Sequence, residues 1–408
     1  MDVRIDIERL KNDIVSLSEF GKDTGGGISR PSFSKADFEA REWIKDLFKN
    51  AGLEVRQDGA GNIFGRLEGK GKTVMSGSHI DSVINGGMFD GPVGVLSALE
   101  CLRRIKEESI PVVKPLEVAS FTDEEGNLVG DFLGSRAFLG ELDRELLEKG
   151  VTQFGIPFSE ILQGTEFSVE SILEAHTQRP DLEAFLEIHI EQGPVLEAED
   201  SSIGIVDRIA GKNNWMCTFL GKASHSGTTP FELRHDALLG LSDFSLRATQ
   251  HVATQHYGSL VTIGRVYVHP GAFSIIPGRV DFSLDFRSTS KETLDILEMD
   301  LRGIAQEVAA TRGLEFTSQV VDHTDPVPVP GRITHLLQEE CKKLGLSSIT
   351  LPSGAGHDAQ ILARVTDSGM IFIPCEDGNS HSPAESIQWD DLEKAANLLL
   401  HSLIRLAG

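Results

Sequence analysis

Gly77-Ser78-His79-Ile80-Asp81-Ser82-Val83, followed by Phe89-Asp90-Gly91, sets an imidazole and two carboxylates around one chain reversal. The stretch Val74 to Ser78 reads as a strand and Val95 to Ile105 as a helix, which opens an α/β sheet domain. An imidazole ligates zinc well when its other ring nitrogen is held, and the Asp81 carboxylate two residues on can hold it. Asp90, where a short loop meets the helix, keeps both oxygens available to bridge two cations. The stretch reads as half of a dinuclear metal site.

The other half calls for more carboxylate and imidazole. Glu117 to Thr122 reads as a strand ending on Asp123-Glu124-Glu125-Gly126, so adjacent carboxylates emerge at a strand tip, where open α/β sheets place ligands. One glutamate can ligate while its neighbour handles protons. Leu186-Glu187-Ile188-His189-Ile190 is a strand-like run delivering His189, and Gly378-Asn379-Ser380-His381-Ser382-Pro383 follows the apolar strand Met370 to Ile373. His79, Asp90, Glu125, His189 and His381 form a five-ligand set for two divalent ions, of zinc, manganese or cobalt rather than calcium or magnesium. No member means much alone. Of the 13 histidines, His176, His251, His256, His269, His323, His335 and His401 lack such a context and read as ordinary surface or core residues.

Composition narrows the setting. At 408 residues the chain exceeds one typical domain. A net charge of −24 argues against nucleic acid or an anionic membrane as partner. Cys101, Cys217, Cys341 and Cys375 make no CxxC motif and read as reduced. The run Met1 to Glu8 is charged with no apolar signal region, and no stretch approaches the roughly 18 apolar residues of a membrane span. A cytoplasmic protein is expected.

Periodicity divides the chain. Ser34 followed by Asp37 caps an amphipathic helix through Phe38, Trp43, Ile44 and Phe48. From Trp215 the pattern becomes strand (215–220), helix (234–254), strand (259–268), strand (279–287), helix (291–312) and strand (314–321), the βαββαβ order of a ferredoxin-like unit. Asp325-Pro326-Val327-Pro328-Val329-Pro330 reads as a stiff linker back to the first domain, which must be completed by the segment carrying His381. The expected domains are 1–211 with 326–408, catalytic, and an inserted 212–325.

These motifs resemble those of the M20-type dinuclear metallohydrolases, in their hydantoinase/carbamoylase branch. That branch includes N-carbamoyl-L-amino-acid hydrolases, allantoate amidohydrolases and ureidopropionases. The resemblance spans Gly25-Gly26-Gly27-Ile28-Ser29-Arg30 to His381-Ser382-Pro383-Ala384-Glu385, through GSHIDSVINGGMFDG, FTDEEG, GSR at 134–136, LEIHIEQGPVLE, SHSGTTP, IIPG, SGAGHDAQ and SHSPAE. It implies a zinc-peptidase-like mixed-sheet catalytic domain whose inserted ferredoxin-like unit is a lid and dimerisation domain. It also implies that His225 of Ser224-His225-Ser226-Gly227 donates to a developing oxyanion on the partner's site, making the protein a homodimer. Arg287 matches the arginine that grips the substrate carboxylate. Gln192, Ser274 and Gly356 of the Ser353-Gly354-Ala355-Gly356 loop match substrate contacts, and His357-Asp358 shapes that loop without ligating.

Two departures bear on the substrate. Ser274-Ile275-Ile276-Pro277-Gly278 has Ser where the family commonly has a carboxylate-holding Asn, and Lys212-Asn213-Asn214 lacks the Arg of allantoate-type members. The expected reaction is hydrolysis of the carbamoyl or ureido C–N bond of an N-carbamoyl-L-amino acid or related ureido acid. Products are the amino acid, carbon dioxide and ammonia, with Glu124 moving the proton and Asp81 orienting His79. The alternatives are allantoate or ureidopropionate hydrolysis, an M20-type peptidase, and a non-catalytic metal-free binding relative. The last usually lacks ligands, and all five are present here.

Overall fold

The computed structural model describes residues 3–408; Met1 and Asp2, the start of the charged amino-terminal run, lie outside the described residues. The chain divides into two units. One comprises the chain up to Asp207 with Val329–Leu351 and His357–Gly408; the other comprises Arg208–Pro328 with Pro352–Gly356.

The first unit is organised by four adjacent parallel strands, in the order Leu116–Phe121, Thr73–His79, Leu182–Ile190 and Asp367–Ile373. Antiparallel strands flank them: Ile63–Leu67 and then Glu54–Gln57 on one side, Gly204–Ile209 on the other. Every residue of Thr73–His79 and of Leu116–Phe121 is buried, as parallel strands covered on both faces require. The helix Pro92–Glu107 packs on Thr73–His79, and helices Trp389–Ala407 and Ile7–Ser18 pack on Pro92–Glu107.

Local capping explains where these helices start. Ser34 Oγ accepts the Asp37 amide at 3.2 Å, opening Lys35–Asn50 as its sequence predicts. The buried Asp37 carboxylate then takes the Phe33 amide at 2.8 Å and Arg41 Nε at 2.6 Å, tying cap to helix. Pro92 stands in the first turn of Pro92–Glu107, where its missing N–H costs nothing.

The second unit is an antiparallel sheet ordered Val266–His269, Arg279–Ser288, Gly211–Leu220, Glu315–Thr324, with helices Ala237–Gln255 and Lys291–Arg312. Burial alternates along Gly211–Leu220 and Arg279–Ser288, so one face turns Trp215, Phe219, Phe282 and Phe286 into a core with Phe244, Leu294 and Leu301. The connectivity is βαββαβ.

Two expectations need correction. The strand expected over 259–268 is broken into Leu260–Thr262 and Val266–His269. Thr262 faces Asp285 while Val266 faces Phe282, so Ile263, Gly264 and Arg265 oppose only Ser283 and Leu284, a bulge at the glycine. Nor is the proline-rich segment only a linker: Val327 and Pro328 pair antiparallel with Ile209 and Arg208, at an edge where proline needs no ladder donor. All four cysteines are buried and unbridged, and no helix among the described residues is long and apolar enough to cross a membrane.

Candidate dinuclear metal site

The carboxyl ends of the four parallel strands all feed side chains to a common point. His79 is the last residue of Thr73–His79, Glu124 and Glu125 follow Leu116–Phe121, His189 lies near the end of Leu182–Ile190, and His381 sits in the loop after Asp367–Ile373. Asp90 closes the set from the turn before Pro92–Glu107. Gly91 there has φ 81°, and a Cβ on it would stand 2.5 Å from the His79 ring, so only glycine lets the helix start this close to the imidazole.

Asp90 lies at the centre. Its Oδ1 is 3.1 Å from His189 Nε2 and 3.7 Å from His79 Nε2, and its Oδ2 is 3.3 Å from His381 Nε2. His381 Nε2 is in turn 3.5 Å from Glu125 Oε2. The donors thus fall into two groups that share Asp90: His79, Asp90 and His189, and Asp90, Glu125 and His381. Glu124 stands beside the first, its Oε2 3.6 Å from His79 Nε2.

The ring nitrogens turned away from Asp90 are held. His189 Nδ1 lies 2.9 Å from the Ile190 carbonyl, and His79 Nδ1 lies 3.1 Å from the Asp81 carbonyl. The Asp81 carboxylate itself is 3.6 Å from His79 and accepts the Glu124 and Glu125 amides, each at 3.4 Å. Asp81 therefore touches both the imidazole and the carboxylate loop. Asp123 supports that loop from within, accepting the Asn127 and Leu128 amides at 2.9 and 3.0 Å. Asp123, Gln192 and His381 all adopt left-handed backbone conformations, with φ of 56°, 59° and 54°, which non-glycine residues take only where surroundings enforce it.

Electrostatics favour a cation here. Burial, and then Asp90, raise the Glu125 carboxyl to about 8, and burial raises Glu124 well above the ordinary carboxylate range. For Asp90, burial is outweighed by His189, His381 and His79, which hold it well below that range. His381, bonded to Asp90, is raised to about 9. His79 Nε2, His189 Nε2 and Glu125 Oε1 are buried with no hydrogen-bond partner, a costly state for polar atoms. Mixed imidazole and carboxylate donors with such orphaned atoms fit divalent ions of the zinc and manganese kind.

Three partners of Asp90 had not been singled out for that role in the sequence. Gln192 Nε2 donates to Asp90 Oδ2 at 2.7 Å and Ser380 Oγ does so at 2.9 Å. Glu385 Oε1 accepts the Phe89 and Asp90 amides at 2.8 and 3.1 Å, joining the Asp90 turn to the His381 loop. A glutamate four residues after His381 is the only sequence signal for it.

His225, Ser274, Arg287 and Gly356 belong to the second unit. His225 pairs with Ile275, and the Ser226 amide donates to the Ser274 carbonyl at 2.9 Å, so Ser274 lies in the turn that leads into the strand paired with His225. The Gly227 amide donates to His225 Nδ1 at 3.1 Å. A backbone N–H can only donate, so a neutral His225 carries its proton on Nε2. Asp285 clasps Arg287 through Nε at 2.9 Å and Nη2 at 3.1 Å, while Nη1 reaches the Gly354 carbonyl at 3.1 Å, next to Gly356 in the Ser353–Gly356 loop.

With this geometry in hand, the chain's relatives can be placed. It belongs to peptidase family M20/M25/M40, whose family model matches residues 75–405. An N-carbamoyl-L-amino acid amidohydrolase of Geobacillus stearothermophilus is 36% identical over 404 residues, 98% of each chain. An allantoate amidohydrolase of Escherichia coli is 33% identical over 399 residues, 96% of each chain. A crystal structure of a hydantoinase/carbamoylase-family amidase from Burkholderia multivorans superposes with a TM-score of 0.89 at 33% identity, covering 100% of this chain and 99% of that one. The chain is a metal-dependent amidohydrolase acting on non-peptide C–N bonds.

Proposed function

We propose that this enzyme hydrolyses the carbamoyl C–N bond of N-carbamoyl-L-amino acids or a closely related ureido acid. The observation that carries the reading is Asp90 shared between two donor groups, with Glu124 3.6 Å from His79 beside one of them. His79 and His189 would hold one divalent ion and Glu125 and His381 a second, with Asp90 between them. When bound, such a pair supplies Lewis acidity and lowers the pKa of water. Glu124 takes the proton from the attacking water and returns it to the leaving nitrogen, with Asp81 fixing the Glu124 and Glu125 amides meanwhile. His225 offers its Nε2–H to the developing oxyanion on the partner's site, and Arg287, held in orientation by Asp285, pairs with the substrate carboxylate. Gln192, Ser274 and Gly356 are the further substrate contacts that the motifs imply.

In this reading residues 212–325 are the lid and dimerisation domain of a cytoplasmic homodimer, and the rest of the chain is catalytic. Exposed Phe231, Leu233, Tyr257 and Phe273 on that unit support a contact with a second copy. Ser274, shorter than the family's Asn, favours a substrate seated differently from an ordinary carbamoyl amino acid. A panel of N-carbamoyl-L-amino acids, N-formyl amino acids, allantoate, 3-ureidopropionate and dipeptides, each with zinc, manganese and cobalt, tests the proposal. Turnover of a carbamoyl or ureido acid supports it; turnover of dipeptides alone replaces it with a peptidase.

A further inference from the structure

Among residues of the second unit given no role above, three side chains from its two helices meet. His251 stands in the last turns of Ala237–Gln255, His256 caps that helix, and Asp300 lies in Lys291–Arg312. His251 Nε2 and His256 Nε2 are each 2.8 Å from the same oxygen, Asp300 Oδ2, and the ring centroids are 5.3 Å apart. Five residues apart on an unbroken helix, the two rings would point in different directions. They converge because the helix ends at Gln255 and His256 leaves helical geometry, with φ −126° and ψ 62°.

We propose that His251, His256 and Asp300 form a further binding site for one zinc-class divalent ion, which staples the two helices of the second unit. Two imidazoles and one carboxylate whose ligand atoms all lie within 4.8 Å of one another make a donor set suited to late first-row ions rather than calcium or magnesium. One wall is open: a surface cavity of about 380 Å³ borders His251, with Gln250, Thr254 and Ile304 around it, leaving room for water to complete the coordination. Arg247, also on that wall, is engaged by Glu307 at 2.5 Å, which offsets its repulsion of a cation. The His256 side chain is 9% exposed, so its ring is already ordered before an ion arrives, while His251 at 32% remains reachable from solution. The ligands come from two helices that pack on each other, but Asp300 lies 49 and 44 residues along the chain from His251 and His256, so an ion would cross-link elements distant in sequence.

The test is zinc stoichiometry of the full-length enzyme after equilibrium dialysis, with unfolding temperature measured in parallel. The wild type should hold one zinc per chain more than a His251→Ala/His256→Ala variant and lose part of its zinc-dependent thermal shift in that variant, while basal turnover stays unchanged. Asp300→Asn guards against a folding artefact, because its amide oxygen still accepts both ring N–H groups yet ligates zinc poorly. Loss of the same single zinc from folded Asp300→Asn supports the site. Equal zinc content in the wild type and both variants overturns it and leaves a hydrogen-bonded cluster.

Discussion

Gln192 Nε2 lies 2.7 Å from Asp90 Oδ2, so a residue whose motif suggests substrate contact also restrains the carboxylate shared by both donor groups. Removing such a support typically weakens metal affinity about 10–100-fold. Gln192→Ala should therefore lose metal to a chelator at lower concentration than the wild type does, even without substrate. Unchanged chelator sensitivity with a raised KM would return Gln192 to substrate binding alone.

Glu124 has no place among the ligands proposed here, although its neighbour Glu125 has. Glu124→Gln should keep the wild-type metal content while turnover falls by roughly 10²–10⁴-fold, the usual scale for a proton-transfer group. Metal analysis and steady-state rates on one preparation separate the two effects. Retained turnover would reject the assignment.

The grip proposed for Arg287 on the substrate carboxylate is open to a direct comparison of substrates. Truncating one partner of a desolvated charge pair costs about 2–5 kcal/mol, so Arg287→Ala should depress kcat/KM for ureido acids far more than for their amide analogues. Equal losses on both would assign Arg287 a structural part with Asp285. Ser274→Asn should raise turnover of ordinary N-carbamoyl-L-amino acids if the natural substrate is something else.

His225 can be tested by complementation. In a homodimer where His225 serves the partner's site, mixing inactive His225→Ala with inactive Glu124→Gln yields heterodimers with one wholly wild-type site. Random exchange of equal amounts should restore roughly a quarter of wild-type activity. No recovery after verified subunit exchange would place His225 outside the reaction or on its own subunit's site.

Asp58 should leave a pH signature on stability. It accepts the Ala60 and Asn62 amides and Asn62 Nδ2, yet burial raises its carboxyl from 3.8 to about 6. The folded state thus holds this proton more tightly than the unfolded state. That contribution is complete below pH 3.8 and is lost as pH rises through about 6. Relative to Asp58→Asn, the wild type should gain up to about 3 kcal/mol between neutral and acid pH, read from urea midpoints. A pH-independent difference would contradict the shift.

Much of this was legible in the residues because the site sits where strands end. His79, Glu124, Glu125 and His189 each follow an apolar run, and such runs mark strand tips whatever the tertiary arrangement. The cap at Ser34 and the helix Lys291–Arg312 were equally plain. Contacts between loops distant in sequence were not. Nothing local to Ser380 or Glu385 says that each bonds Asp90, and nothing local to His251 and His256, read as ordinary, says that Asp300 lies between them. The bulge at Gly264 and the edge pairing of Val327 and Pro328 depend likewise on a partner strand.

The four-strand arrangement also bears on how such an enzyme can diverge. Neighbouring strands stand about 4.8 Å apart whatever chain connects them, so sheet pairing, and not loop length, spaces His79, the glutamates, His189 and the His381 loop. The whole second unit is threaded between the third and fourth of these strands in chain order. Insertions, losses or exchanges there leave that spacing alone. On the roles proposed for Ser274, Arg287 and Gly356, those substrate contacts can change by selection while the groups at the strand ends stay fixed.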